Sequence, residues 1–100
     1  MEYLKEIGFS DLDIKDILDN NYQHIIENLI VNQDNVLEIV NYLLSIGIEK
    51  DTIKEIFMYQ VSLFFKTKKE IQVSFDEYEL DSIVKSLNYD VNNVELIDFI

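Results

Sequence analysis

The chain states one pattern twice and begins it a third time. Leu4 to Leu18 reads L-K-E-I-G-F-S-D-L-D-I-K-D-I-L and Leu43 to Phe57 reads L-L-S-I-G-I-E-K-D-T-I-K-E-I-F, in register at an offset of about 39 residues. Apolar residues meet apolar residues at Leu4/Leu43, Ile7/Ile46, Ile14/Ile53, Ile17/Ile56 and Leu18/Phe57, and the two copies hold the only glycines, Gly8 and Gly47. Slightly out of phase, Val84 to Ile97 repeats the pattern with Asn88 where the glycines stood. Units of this length stack side by side, each burying its aliphatic stripe against its neighbours. The expected fold is all-α, with about two tandem repeats of about 39 to 41 residues, three helices each, stacked as a short right- or left-handed superhelix. Repeat one spans about 8–46 and repeat two about 47–87, within a single domain, with half-repeats at 1–7 and 88–100 as caps.

Segment boundaries follow from local chemistry. Glu2–Ile7 forms a helical stub ended by Gly8, since glycine enters the left-handed region without a Cβ clash. Ser10 and Asp13 resemble a capping box opening a helix from Asp11 to about Asn20. Further helices are expected over Tyr22–Ile30 and Val36–Ile46, with Asn32 to Asn35 as a break between them. The second copy supplies Lys50–Gln60, with Ile53, Ile56 and Phe57 inward, and Val61–Phe65, with Val61, Phe64 and Phe65 inward. Ile71, Val73 and Phe75 alternate with polar residues but have no partner strand in view, so 66–74 reads as a turn or irregular connector. Ser74 with Glu77 then caps a helix running to Leu87, and Asp90 opens a last helix with Val94, Ile97 and Ile100 inward.

A chain of 100 residues with 48% apolar side chains supports one modest core, leaving little room for a deep active-site cavity. The formal net charge is −12, from 20 acidic residues against 8 lysines and no arginine. Nucleic-acid binders need cations to displace counterions from the phosphate backbone, so this balance argues against DNA or RNA and for a partner with a basic surface. No apolar run approaches the ~20 residues that span a bilayer, and Met1 to Asp11 has no signal-peptide pattern, so the expectation is a cytoplasmic protein without membrane partners. Richness in Ile, Asn, Lys and Asp without Ala, Pro or Trp accords with an AT-rich bacterial or phage genome.

The shared L-x-x-I-G-[FI]-x-x-x-x-I-K-[DE]-I-[LF] resembles the repeat of the mitochondrial transcription termination factor family, and the resemblance covers Tyr3 to Ile97. It implies a superhelix of helical triplets with a concave face. That family's units place a proline where Asn21 or Tyr22 and Gln60 or Val61 stand here, and its nucleic-acid-binding members use basic surfaces, which this chain lacks. Gly8-Phe9 and Asn35-Val36-Leu37-Glu38 resemble, more weakly, features of ubiquitin-associated domains.

Catalytic chemistry has little to work with. His24 is the sole imidazole, in an apolar run that suits a rim or core position, and no glycine-rich phosphate loop, cysteine or activated serine motif is present. Asp11, Asp13, Asp16 and Asp19 lack the spacing of a calcium loop and suit the positive end of a helix, so no enzyme activity, metal or cofactor is expected. These four, with Glu49, Asp51 and Glu55 at the matching place in the second copy, are the candidate partner-binding residues. An alternative docking patch is Lys66, Lys68 and Lys69, whose local reason would be to stabilise the carboxyl end of the Val61–Phe65 helix. The expected role is that of a non-catalytic inhibitor or regulator of a protein with a basic surface. A nucleic-acid-binding module and a structural oligomer joined through Phe99 and Ile100, or through Phe64 and Phe65, are the rival readings, with the oligomeric state left open.

Overall fold

The computed structural model describes residues 1–99. Among them every regular element is helical: α1 (Asp11–Asp19), α2 (Gln23–Val31), α3 (Gln33–Ser45), α4 (Lys50–Tyr59), α5 (Lys68–Asp76) and α6 (Leu80–Tyr89), with 3-10 turns at Glu2–Ile7, Val61–Phe65 and Val91–Leu96. The fold is therefore all-α, as the periodicity requires.

The two glycine turns are built alike. Gly8 has φ 91° and Gly47 φ 107°, both in the region that only glycine occupies without strain. The Gly8 and Gly47 amides donate to Lys5 O (3.0 Å) and Leu44 O (3.2 Å), and the Phe9 and Ile48 amides reach five residues back to Leu4 O (3.3 Å) and Leu43 O (3.0 Å). This pattern satisfies carbonyls that a helix end leaves orphaned and tucks the next residue, buried Phe9 or Ile48, under the helix. Asn88 does something else. α6 runs straight past it to Tyr89, and among the described residues no non-glycine has a positive φ.

α4 contacts α1, α3 and the Val61–Phe65 and Val91–Leu96 turns, α6 packs on the Val91–Leu96 turn, and α3 shares the centre with α4, in contact with α2, α4, α5 and the Val61–Phe65 turn. The α3 stripe, Val36, Ile39, Val40 and Leu43, is fully buried. Phe57 sits at the joint of the two copies, stacked on Phe64 with centroids 4.0 Å apart and edge-on to Phe9 at 6.1 Å. The buried side chains form one cluster, and the radius of gyration, 12.8 Å, is that of a single folded unit of this length.

Several sequence expectations are corrected. The break at Asn32–Asn35 shrinks to Asn32 alone, because Asn35 stays in α3 and its Nδ2 donates to Phe64 O (3.3 Å) and Lys66 O (2.8 Å), carbonyls freed at the end of the 61–65 turn. Tyr22 and Ile30, the ends of the expected Tyr22–Ile30 helix, are exposed, since this short helix buries Ile26 and Leu29 and only part of Ile25. In Val61–Phe65 the tighter 3-10 winding turns Leu63 and Phe64 inward and leaves Phe65 partly exposed. The 66–74 connector is instead α5, opened by a Thr67/Glu70 capping box. Its alternation misleads because Ile71, Ser74 and Phe75 face the core at helical spacing while Val73 faces out. Ser74 is thus a buried helix-interior residue and not a cap, and α6 starts only at Leu80. The region from Gly47 to Leu87 consequently holds one more segment than its counterpart. At the carboxyl end Phe99 packs back on Phe75 (6.4 Å), beneath the Lys66 ammonium, whereas the inward and oligomer roles given to Ile100 lie outside the described residues.

Candidate functional site

The face formed by α1 and α4 carries most of the candidate carboxylates. Ser10 caps α1 reciprocally: its hydroxyl accepts the Asp13 amide (3.1 Å) and Asp13 Oδ2 accepts the Ser10 amide (3.0 Å). Asp13 Oδ1 remains free to turn outward, where Lys54 Nζ donates to it at 3.0 Å and to Asp16 Oδ2 at 2.9 Å. Lys54 is the counterpart of Lys15 one unit earlier, but Lys15 bonds only Asp19 on its own helix (2.7 Å). The Ser10 backbone N–H, then the Lys54 ammonium, hold the Asp13 carboxyl down at about 2. Lys54 is raised in turn, first by Asp16 and then by Asp13.

The remaining candidates divide. Asp11 pairs with Lys5 (2.9 Å), so each aspartate of the first set already has a lysine partner. Glu49, Asp51 and Glu55 are exposed and, among the described residues, have no ion-pair partner. Asp51 and Glu55, one helical turn apart on α4, line a shallow depression with Lys54, Met58 and the exposed ring of Tyr59. Lys54 joins the two sets, clamped by one and bordering the other.

The basic patch is rearranged. Lys66 follows the Val61–Phe65 turn and its Nζ lies 4.6 Å from the Phe99 ring centre, but Lys68 and Lys69 fall in the first turn of α5, the helix end where cations are least favoured. The dipole reason offered for them therefore does not hold. His24 is exposed and stacks on Tyr22 with centroids 6.0 Å apart. Among the described residues no three His, Cys, Asp or Glu side chains converge as a metal site would need.

Sequence reasoning missed the side chains that bond segments about forty residues apart. Lys50 Nζ donates to Gly8 O (3.1 Å), and Asn88 Nδ2 donates to Gly47 O (3.1 Å). Asn88 Oδ1 also accepts from the Glu49 amide (3.0 Å) and the buried Thr52 hydroxyl (2.8 Å). Asp13 and Thr52, which match in register, thus each bond a residue from further along the chain. Asn21 and Gln60 form another such pair: Asn21 donates to Phe57 O (2.9 Å) and Gln60 to Asn92 Oδ1 (3.0 Å). The signal was the recurrence of polar residues at matched positions, whose partners only the fold reveals.

These features define an all-α domain whose α1 and α4 carry an acidic face. Comparison with family models, curated proteins and solved structures gives no match for this chain.

Proposed function

We propose that the protein is a non-catalytic, cytoplasmic interaction protein that binds a partner through a basic surface on that partner, and thereby inhibits or regulates it. The observation that carries this reading is the exposed, unneutralised pair Asp51 and Glu55 beside Met58 and Tyr59 on α4. Internal pairing strengthens it. Lys5, Lys15 and Lys54 are engaged with Glu2 and the four aspartates of α1, so most of the net charge of −12 falls on carboxylates elsewhere on the surface. An aromatic and a thioether next to two carboxylates suit a surface where Arg or Lys side chains lay their stems on apolar area and their heads on charge. The resemblance to transcription termination factor repeats enters only as a scaffold, since the charge opposes its nucleic-acid ligand. Among the described residues no helix is long and apolar enough to cross a membrane.

The test is capture of partners from the source cell on the full chain, compared with Asp51→Lys/Glu55→Lys. Asp13 and Asp16 are poor targets for charge reversal, because they hold α1 to Lys54 and their loss disturbs the fold. The α4 double variant should retain its helical spectrum and lose the partner. Capture at wild-type level would remove this face from the interaction.

A further inference from the structure

A second surface lies at the far end of the chain. α6 and the Val91–Leu96 turn pack together and, with Tyr78, Glu79 and Ile97, line an open cleft of about 320 Å³, within the lower range of ligand sites. Its walls are mostly apolar: Ile83 and Leu87 from α6, Leu96 and Ile97 opposite, and Tyr78 across one end. Two bonds fix its shape. Asn93 Nδ2 donates to Ser86 O (2.9 Å), tying the turn to α6, and the Asp98 amide donates to Tyr78 Oη (3.2 Å), closing the end wall. Leu96 is nonetheless 74% exposed, so a large aliphatic side chain stands at the rim in water.

We infer that this cleft is a docking groove for an amphipathic cationic segment of a partner protein, which places an aliphatic side chain between α6 and Leu96 and sets lysines or arginines against the surrounding carboxylates. The sign of the charge selects the occupant. Glu79 lines the cleft and no lysine does, the segment leading into α6 is D-E-Y-E-L-D, and Asp98 directly follows the lining residue Ile97, its backbone amide bonded to the Tyr78 hydroxyl. A second copy of this chain, with a net charge of −12, would be repelled, as would nucleic acid or an anionic lipid surface. Apolar anchoring within a ring of opposite charge is the helix-in-groove mode of recognition, in which the buried anchor supplies affinity and the rim charges supply orientation and partner choice. The inference rests on the reading of a basic partner, and adds a second, chemically distinct contact to the α1–α4 face.

The experiment titrates the full ¹⁵N-labelled chain with a synthetic amphipathic helix of Leu and Lys, with the same peptide bearing Glu for Lys, and with a Lys/Ser peptide lacking leucine. Saturable shifts of the Ser82, Ser86, Leu96 and Ile97 amides with the Leu/Lys peptide, much weaker binding of the Lys/Ser peptide and none of the Leu/Glu peptide are expected. Leu96→Asp is the stringent variant: added negative charge should tighten binding driven by charge alone, whereas loss of the apolar wall should weaken groove binding about tenfold or more. Glu79→Lys, an exposed change outside the core, should weaken binding as well. Shifts confined to the region of Asp51 and Glu55, or tighter binding by Leu96→Asp, overturn the groove while leaving the basic-partner reading intact. Equal binding of the Leu/Glu peptide overturns the charge selection. Absence of any shift with both cationic peptides overturns the groove and removes support from the basic-partner reading, which the capture experiment judges separately.

Discussion

Replacing Asn88 separates two physical roles that the sequence leaves superimposed. By register it stands where Gly8 and Gly47 stand, and asparagine is, after glycine, a common left-handed helix terminator. In the fold it is instead an α-helical residue whose amide bridges three groups: the Glu49 amide, the Thr52 hydroxyl and the Gly47 carbonyl. Asn88→Ala removes all three bonds. The Thr52 hydroxyl, only 4% exposed, loses its acceptor at a cost of about 1–2 kcal/mol, and the two more exposed bonds add roughly 0.5 kcal/mol each because water partly replaces them. The expected loss is about 2–3 kcal/mol, which for a domain of this size lowers Tm by roughly 10–20 °C. Asn88→Gly should be worse by about another 0.5–1 kcal/mol, since glycine adds backbone entropy to the unfolded chain and gains nothing at a site of negative φ. Urea unfolding followed by circular dichroism measures both. If Asn88→Gly were as stable as wild type, or clearly more stable than Asn88→Ala, the side-chain bridge would not be the reason for asparagine there.

Ser74 offers a second discrimination: as a cap its loss would cost about 1 kcal/mol, but its hydroxyl is buried within α5 without a hydrogen-bond partner among the described residues, so Ser74→Ala should be neutral or stabilise by up to about 1 kcal/mol in the same assay. The Asp13 carboxyl, held at about 2 in the fold against 3.8 as a free side chain, contributes stability that is complete above its unfolded value and is lost as pH falls toward 2. Lys54→Met removes the ammonium but leaves the Ser10 amide, so unfolding midpoints measured between pH 6 and pH 2 should fall less steeply than in wild type; parallel acid limbs would show that Lys54 is not coupled to that carboxyl.

The legible part of this protein was what depends on near neighbours along the chain. Gly8 and Gly47 announced their turns because no other residue adopts their φ without strain, and Ser10 announced the start of α1 because its capping partner lies three residues away. The stripes of α1, α3 and α4 were legible because burial recurs at helical spacing. α5 could have been found in the same way from Thr67 and Glu70, but the alternation of Ile71, Val73 and Phe75 led to a connector and that cap went unread. For the candidate site, the sequence marked the acidic residues without distinguishing the paired aspartates of α1 from the unpaired Asp51 and Glu55, since Lys15 and Lys54 occupy matching positions of the repeated motif and meet different partners.

The sequence by itself therefore determined that the chain is all-α, where its two glycine turns fall, the buried stripes of α1, α3 and α4, and the sign of its charge. Tertiary structure alone decided which charges are paired inside the molecule, that Asn88, Lys50 and Lys54 bond segments far apart in the chain, and that α6 and the Val91–Leu96 turn line an apolar cleft. The physical reason is range. Helix propensity, capping and periodicity act within a turn or two of the chain, whereas the bonds of Asn88, Lys50 and Lys54 join residues about forty positions apart and the cleft brings Tyr78 together with Leu96 and Ile97, geometry that exists only once the core has set the helices side by side.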